Sequence, residues 1–301
     1  MYCMPELGMP KLSHADILTY EEIMRLVRLI SQMGISKIRV TGGEPLVRKD
    51  ILYLCEKISA VQGVSSLSLT TNGLLLEDFA KGLWAAGIKR VNVSLDTLNP
   101  EKYAAITRKD CFEKVWRGIE TALDVGFKPI KLNVVVMRGI NDDEIEDLGR
   151  LTYRYPFHVR FIEFMPFQDG VPPSSFLSSD EILRSLERVA NLVPVRVENG
   201  NGPARHYQFA GAVGKIGIIS PISHHFCPTC NRLRVTADGK LRTCLFSQEE
   251  TDLRVLLRRD ASDAEIVSTI RRAIDQKPEK HALESDIFRK CISRPMSAIG
   301  G

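Results

Sequence analysis

Short apolar runs alternate with amphipathic segments along the first half of the chain. The apolar runs are rich in Val, Ile and Leu, and they are bounded by Gly, Asn or Asp. They occupy residues 37–41, 66–71, 90–96, 130–137 and 159–165. Runs that are apolar on both faces are typical of strands buried in a parallel sheet. We therefore predict five β-strands in this half.

The segments between these runs have the apolar spacing of α-helices. Thr19 and Glu22 form a capping-box pattern, and Ile23, Leu26 and Ile30 follow at helical spacing. Four further helices are predicted at residues 50–60, 77–86, 112–125 and 142–153. This alternation predicts βαβ units and a parallel sheet, either open or closed into a barrel. Ligands bind at the carboxyl ends of the strands in both cases.

The pattern weakens after residue 166, and we place a domain boundary near residue 170. We expect a first domain at 1–170 and a second at 171–301. Within the second we predict a loop at 168–179, a capped helix at 179–189, a loop at 199–205, a cysteine-bearing segment at 220–246, helical character at 252–276 and an unstructured tail at 296–301.

Composition narrows the class of protein. The apolar fraction of 44% and the charged fraction of 26% are those of an ordinary globular protein. No apolar run approaches the about 20 residues of a membrane span, so we expect no membrane partner. The net charge of +4 favours an anionic ligand but does not indicate nucleic acid. An odd count of seven cysteines does not fit a disulfide framework. Three of them have the spacing of metal ligands, which favours a reducing, cytoplasmic location.

Three of the cysteines have the spacing of metal ligands. Cys227 and Cys230 are separated by two residues, and Cys244 follows after thirteen more. A tight turn brings the first two thiolates together, and a returning strand or loop adds the third. Two kinds of site remain open: zinc with His224 or His225 as fourth ligand, or a [4Fe–4S] cluster with one iron open to a substrate atom.

Two arginines follow this motif. Arg232 and Arg234 are two residues apart, so an extended backbone places both on one face. Forked guanidiniums beside a metal site suit a phosphate-bearing ligand. By themselves, the two arginines also fit the ordinary surface of a basic protein.

Several motifs together carry a family resemblance. The second half contains Cys227-Pro-Thr-Cys230-Asn-Arg-Leu-Arg234, Arg242-Thr-Cys244 and the terminal Gly300-Gly301. The first half contains Tyr2-Cys3-Met-Pro, Arg39-Val-Thr-Gly-Gly43-Glu-Pro, Thr70-Thr-Asn-Gly73, Ser94-Leu-Asp96 and Phe161-Ile-Glu-Phe-Met165. Taken in their order along the chain, these motifs resemble those of the GTP 3',8-cyclases. These are radical S-adenosylmethionine enzymes of molybdenum cofactor biosynthesis.

The resemblance implies a fold and a reaction. The fold is α/β: a partial (β/α)6 TIM-like barrel, then a C-terminal domain with an auxiliary [4Fe–4S] cluster, the GTP site and a flexible Gly-Gly tail. The implied cofactors are two [4Fe–4S] clusters and S-adenosylmethionine. The first cluster would cleave S-adenosylmethionine to a radical that takes hydrogen from C3' of GTP. Attack on C8 then gives (8S)-3',8-cyclo-7,8-dihydroguanosine 5'-triphosphate, in the first step of molybdopterin biosynthesis.

The resemblance also assigns roles to residues, none of them as a catalytic side chain. The S-adenosylmethionine contacts are Tyr2, Gly43, Ser94 and Met165. The GTP contacts are Arg39, Thr70, Lys131, Arg232, Leu233 and Arg234, with Gly300 and Gly301 in a tail that reaches the active site. The cluster ligands are Cys3 for the first cluster, and Cys227, Cys230 and Cys244 for the second. Simpler interpretations stand beside these: Met165 as core, Thr70 as a turn residue and Lys131 at a solvated strand edge.

The given sequence departs from the family pattern at its start. The pattern has two more cysteines upstream of Cys3, together with a first barrel strand and a triphosphate-binding arginine. One thiolate cannot hold a four-iron cluster. We therefore expect the sequence to be a fragment, and we expect this exact polypeptide not to perform radical chemistry.

The resemblance implies partners as well: GTP, an external electron donor, a second copy in a homodimer, and the next pathway enzyme, cyclic pyranopterin monophosphate synthase. Two other functions remain open from the residues. One is a zinc-stabilised module that binds a nucleotide or RNA. The other is a different radical S-adenosylmethionine enzyme with an auxiliary cluster, such as one that modifies peptides.

Overall fold

The computed structural model describes residues 12–165, 172–196, 202–280, 294 and 296–300, and its fold is α/β. The strands are β1 Lys37–Val40, β2 Ser66–Thr71, β3 Arg90–Ser94, β4 Ile130–Val136, β5 His158–Glu163, β6 Leu192–Pro194, β7 Arg205–Phe209, β8 Lys215–Ile219, β9 Arg234–Val235, β10 Lys240–Arg242 and β11 Thr251–Asp252. The helices are α1 Tyr20–Gln32, α2 Ile51–Ser59, α3 Leu76–Ala85, α4 Pro100–Thr107, α5 Phe112–Val125, α6 Ile145–Arg154, α7 Ser179–Glu187, α8 Leu253–Arg258, α9 Asp263–Asp275 and α10 Met296–Ile299. None of these described helices is long and apolar enough to cross a membrane.

All five predicted strands are confirmed as β1 to β5, and the predicted helices of the first half are α1, α2, α3, α5 and α6. The capping box of α1 is present, because Thr19 Oγ1 accepts from the Glu22 N–H (3.2 Å) and Glu22 Oε2 accepts from the Thr19 N–H (2.7 Å). The helical character predicted at residues 252–276 is confirmed as two helices, α8 and α9. They are separated where Asp260 is left-handed (φ 55°), and Ser262 caps α9 by accepting from the Glu265 N–H. One prediction is wrong: residues 296–299 of the expected unstructured tail form α10.

The described structure divides into two compact units. Unit 1 comprises Thr71–Lys81 and Lys89–Phe226, and unit 2 comprises the described parts of Cys3–Thr70, Gly82–Ile88 and Cys227–Gly301. These break points differ from the boundary that composition indicates near residue 170, which stays a prediction. Both units are built from stretches that are far apart in the sequence.

Unit 1 is organised around a mostly parallel sheet. Strands β3, β4, β5 and β8 are successive parallel neighbours, and β7 and β6 continue from β8 in antiparallel pairing. Lys131 of β4 is in register with His158 of β5, which is in register with Lys215 of β8. Because residues in register share a face of the sheet, polar side chains collect on one side of these strands.

Buried polar side chains fix the carboxyl ends of the unit 1 strands. Asn141 Nδ2 donates to the carbonyl oxygens of Asp96 (2.7 Å) and Val135 (2.9 Å), and Asp96 Oδ1 accepts from the Val135 N–H (2.8 Å). Glu163, which is fully buried at the end of β5, accepts from the N–H of Ser179 (2.8 Å). These bonds hold the ends of β3, β4 and β5 at fixed positions.

Unit 2 has a core that joins distant segments. Helix α1 packs against α8 and α9 through buried residues that include Leu26, Leu29, Leu253, Ile266 and Ile270. Strand β1 pairs with β2 in parallel, while β9, β10 and β11 form a small antiparallel sheet. This sheet directly follows the Cys227–Cys230 motif and leads to Cys244.

A buried ion network braces this small sheet. Arg242 is fully buried; its Nη1 pairs with Glu250 and its Nη2 donates to the Ser247 carbonyl oxygen. The other carboxylate oxygen of Glu250 lies 3.0 Å from Nη2 of Arg294. Arg294 Nη1 in turn lies 3.0 Å from Asp238. The network therefore ties the chain just before α10 to the sheet beside the cysteines.

Candidate functional site

The cysteine motif adopts the predicted turn and return. Cys227 to Thr229 form one 3-10 turn, and the Cys230 N–H donates to the Cys227 carbonyl oxygen (3.0 Å). Strand β9 then pairs with β10 in antiparallel fashion, and Cys244 follows β10. All three thiols are half-buried and none is in a disulfide. The turn and the hairpin thus bring the three cysteines into one region of unit 2.

The Cys230 thiol is held toward its ionised form. Burial would raise its pKa, but the N–H and guanidinium of Arg232 and the ammonium of Lys277 outweigh burial and lower the pKa below its ordinary value. Thiolates are the form in which cysteine binds metals. This part of the site therefore suits a metal-bound thiolate.

The geometry bears on the kind of metal site. Within the residues that the structure describes, no three Cys, His, Asp or Glu side chains form a group that could hold a metal ion. A zinc ion needs its ligands to converge at about 2.0–2.3 Å from the metal, whereas a four-iron cluster is larger and takes each thiolate at a separate iron. His224, the candidate fourth zinc ligand, has its Nε2 3.1 Å from the Asp180 carboxylate. No converged set of zinc ligands is therefore present among the described residues.

Arg39, Arg232 and Arg234 are coupled electrostatically, and Arg232 and Arg234 are also coupled to the cysteines. Burial, and then the charge of Arg232, lower the pKa of Arg234 to about 10, while Cys230 and Cys244 act in the opposite direction. Desolvation, and then Arg232, also lower the pKa of Arg39. These groups therefore influence one another electrostatically within unit 2. Three guanidiniums that repel one another form a site that a polyanion would stabilise.

Leu233 has a different orientation from its neighbours. Its side chain is partly buried and packs against the core between α1 and α9. The backbone N–H and carbonyl are therefore the groups of Leu233 that can meet a ligand. The apolar contact of Leu233 also anchors the two arginines on either side of it.

The predicted S-adenosylmethionine residues stand at strand ends. Gly43 is exposed just after β1, in unit 2. In unit 1, Ser94 is exposed as the last residue of β3, and Met165 is half-buried just after β5. The exposure of Met165 does not favour the simpler interpretation of this residue as core. Tyr2 and Cys3 lie outside the described residues.

Lys131 belongs to a basic group that the sequence analysis did not identify. Burial, and after it the charges of Lys131, Arg160 and Lys215, together lower the pKa of His158 to about 3 and that of His206 to about 4. The two imidazole rings are 6.1 Å apart, and neither Nδ1 has a hydrogen-bond partner among the described residues. The sequence feature that could have indicated this basic group is the alternation of polar and apolar residues in β4 and β5.

The end of the chain meets a strand end in unit 2. Gly300 is buried with φ +81°, and a Cβ atom there would lie 2.9 Å from Cγ2 of Thr41. Thr41 follows β1 and precedes Gly43. Glycine is required here by both the backbone conformation and the close approach. Thr70 is half-buried near the end of β2, and Gly301 lies outside the described residues.

Comparison with protein families divides the chain near residue 155. The Radical SAM superfamily model matches residues 1–152, and the model named Molybdenum Cofactor Synthesis C matches residues 157–283. The first match covers β1 to β4, and the second covers β5 to α9 with the three cysteines.

Individual proteins are similar over the whole chain. The chain is 47% identical to the GTP 3',8-cyclase of Heliobacterium modesticaldum over 306 residues, which cover 100% of this chain and 93% of the relative. It is 48% identical to the GTP 3',8-cyclase of Desulforamulus reducens over 304 residues, with coverage of 100% and 93%. Among solved structures, Streptococcus suis SuiB bound to S-adenosylmethionine has a TM-score of 0.55 at 16% identity, covering 90% of this chain and 65% of SuiB. That likeness concerns the fold alone.

Proposed function

Because this chain belongs to the GTP 3',8-cyclase family of the radical S-adenosylmethionine superfamily, we propose that it acts on GTP in the first step of molybdopterin biosynthesis. The reaction converts GTP and S-adenosylmethionine to (8S)-3',8-cyclo-7,8-dihydroguanosine 5'-triphosphate. The observation that supports this most directly is the grouping of Arg39, Arg232 and Arg234 beside Cys230 and Cys244. This group of residues combines cations that can bind a triphosphate with thiols that can bind a metal.

The family uses S-adenosylmethionine and an iron–sulfur cluster. We propose two clusters, with Cys3 as a ligand of the first and Cys227, Cys230 and Cys244 as ligands of the second. When bound, the clusters supply the electron that cleaves S-adenosylmethionine and an open iron for the guanine base. Three thiolates leave one iron of the second cluster without a protein ligand, which is why this cluster suits a substrate atom.

The side chains of this chain would bind and orient both small molecules. Gly43 gives the backbone close access to the methionyl group, since no side chain intervenes. The exposed Ser94 hydroxyl is free to bond ribose or carboxylate, and Met165 and Tyr2 complete the S-adenosylmethionine contacts. Holding both reactants in one geometry lowers the entropic part of the barrier.

The GTP contacts divide by chemistry. Guanidiniums of Arg39, Arg232 and Arg234, with the Lys131 ammonium, match the charge of a triphosphate. Thr70 offers a hydroxyl, and Leu233 offers its backbone. Gly300 and Gly301 would reach the substrate from the chain end, beside Thr41.

We also propose an external electron donor, because each reductive cleavage of S-adenosylmethionine consumes one electron. A homodimer and hand-off of the product to cyclic pyranopterin monophosphate synthase complete the proposed partners. The reduced thiols of the described cysteines fit a cytoplasmic location.

The test is GTP binding by the anaerobically reconstituted chain, measured by equilibrium dialysis, with iron and acid-labile sulfide determined on the same sample. Arg234→Met is expected to weaken GTP binding about 10–100-fold, because a hydrogen bond to a charged group contributes about 1.5–3 kcal/mol. Arg271→Met is the matched control, since Arg271 is exposed on α9 of the same unit. GMP should bind more weakly than GTP and should respond less to Arg234→Met.

Two results would contradict the proposal. Zinc without sulfide in the reconstituted chain would indicate the zinc-stabilised module instead. Equal GTP affinity in Arg234→Met and Arg271→Met would remove the arginine group from the substrate site.

A further inference from the structure

Lys277 lies two residues after the end of helix α9 and reaches the loop that carries Cys230. The Lys277 N–H donates to the Ile274 carbonyl oxygen (3.0 Å), which fixes the backbone at the helix end. The ammonium nitrogen lies 2.6 Å from the Cys230 carbonyl oxygen, 3.2 Å from the Arg232 carbonyl oxygen and 3.5 Å from the Cys230 sulfur. The side chain is half-buried. It therefore spans from one helix end to the cysteine loop.

These contacts match the three donors of an ammonium group. In the described part of the chain they all go to one loop, and no carboxylate is among them. A lysine that only anchored a loop would be satisfied by carbonyl oxygens. The contact of Lys277 with a thiol sulfur therefore indicates a second role for its charge.

The same sulfur has donors on another side. The backbone N–H and the guanidinium of Arg232 also act on the Cys230 thiol. Lys277 in turn holds the carbonyl oxygen of Arg232. One ammonium thus contacts a proposed cluster ligand and the backbone of a proposed GTP contact.

Donors of this kind control a metal centre from outside its ligand set. Hydrogen bonds to cysteine sulfurs and nearby charges set the reduction potential of an iron–sulfur cluster. A cation favours the reduced form, because that form carries one more negative charge. Donors to a ligand also fix its orientation, and removing such a partner weakens metal binding about 10–100-fold.

We propose that Lys277 is a positioning residue of the second cluster: it donates to the Cys230 sulfur, raises the reduction potential of the cluster, and holds Arg232 in place for GTP. This inference rests on the proposed function, since it requires the cluster at Cys227, Cys230 and Cys244. It adds a residue from a segment without a recognisable motif.

The test compares three variants of the full chain in a Cys3→Ser background, so that all iron measured belongs to the second cluster. Lys277→Met removes the charge and the donors at similar length, and Lys277→Arg keeps both. Lys280→Met is the control, because Lys280 is exposed three residues further along the same segment. The readouts are iron and sulfide per chain during dialysis against a chelator, the reduction potential from a redox titration followed by electron paramagnetic resonance, and GTP affinity.

Lys277→Met is expected to have a more negative cluster potential, about 10-fold weaker iron retention and weaker GTP binding. Lys277→Arg should recover the potential, and Lys280→Met should match the parent. Thermal unfolding of the iron-free proteins checks that Lys277→Met folds. If Lys277→Met holds no cluster, its reduction potential cannot be measured and Lys277→Arg decides. A reduction potential and an iron retention equal to those of the parent in Lys277→Arg would support the proposal, because this variant keeps the charge and the hydrogen-bond donors.

Two outcomes overturn it. If Lys277→Met equals Lys280→Met in potential and retention while the parent holds about four iron, this inference fails and the proposed function stands. If the parent itself holds no iron and sulfide, the proposed second cluster fails and the inference fails with it.

Discussion

Removing the carboxylate of Glu250 is expected to destabilise unit 2 strongly. The side chain of Arg242 is 0% exposed and that of Glu250 is 16% exposed, so the pair is shielded from water. Nε of Arg242 already lacks a hydrogen-bond partner among the described residues. Glu250→Ala would leave the Nη1 charge without its counter-ion as well. Breaking one side of a buried ion pair costs about 3–5 kcal/mol, a large part of the about 5–15 kcal/mol that stabilises a typical protein.

The assay is urea unfolding followed by circular dichroism, with Glu249→Ala as the control, because Glu249 is exposed and adjacent. Glu250→Ala should lower the free energy of unfolding by about 3 kcal/mol more than the control. The double variant Arg242→Met with Glu250→Leu should be more stable than Glu250→Ala, since it leaves no charge of the pair buried. The reasoning is refuted if Glu250→Ala and Glu249→Ala unfold at the same urea concentration, or if the double variant is the least stable.

Two further predictions concern unit 1. The pKa of His158 is about 3 and that of His206 about 4, both below the value of about 6.5 in an unfolded chain. Between the folded and unfolded pKa values the unfolded state binds more protons than the folded state. The free energy of unfolding therefore falls as the pH decreases below about 6.5. Between pH 7.5 and pH 5 each ring should lower the free energy of unfolding by about 1–2 kcal/mol, after allowance for solvent screening. A variant with both His158→Gln and His206→Gln, measured by urea unfolding, should lose this part of the pH dependence. An unchanged pH dependence would contradict the low pKa values of the two rings. Gly73→Ala should cost about 1–3 kcal/mol, because the new Cβ would lie 2.8 Å from Cγ1 of Val115 in addition to the strain of φ +83°. Gly211→Ala is the control for that strain alone, since φ is +77° there with open space around the Cβ, and equal losses in the two variants would show that the contact with Val115 has no effect.

The strands of the first half were predictable because each is a short run rich in Val, Ile or Leu near glycine, asparagine or an acid, even where polar residues alternate with apolar ones, as in β2 and β4. Strand β8 was not, because a five-residue run such as Lys215–Ile219 has no distinctive pattern and its partner β5 is more than fifty residues away. The break at Asp260 was missed for a local reason. A left-handed aspartate within a helical pattern leaves the apolar spacing on both sides intact.

In the candidate site, too, some residues were predictable from the sequence and others only from the fold. The cysteine spacing and the Arg232 and Arg234 pair identify a metal and anion site from the sequence. The motif that begins at Arg39 also assigns this residue to the GTP contacts, and the fold adds its electrostatic coupling to Arg232. Lys277 belongs to the site only because the chain after α9 reaches the cysteine loop. Lys277 carries no local pattern that distinguishes it from a surface cation.

The division of unit 2 between the two ends of the chain sets an order on synthesis. Helix α1 leaves the ribosome early, but its packing partners α8 and α9 follow more than 200 residues later. Because domains tend to fold as they emerge, Lys89–Phe226 of unit 1 can fold during translation, while α1 must wait with its apolar face uncovered. The hairpin around Cys227, Cys230 and Cys244 is completed only after the whole of Lys89–Phe226 has been synthesised. A nascent chain arrested before α9 would therefore carry these thiols next to an α1 face that still lacks its packing partner.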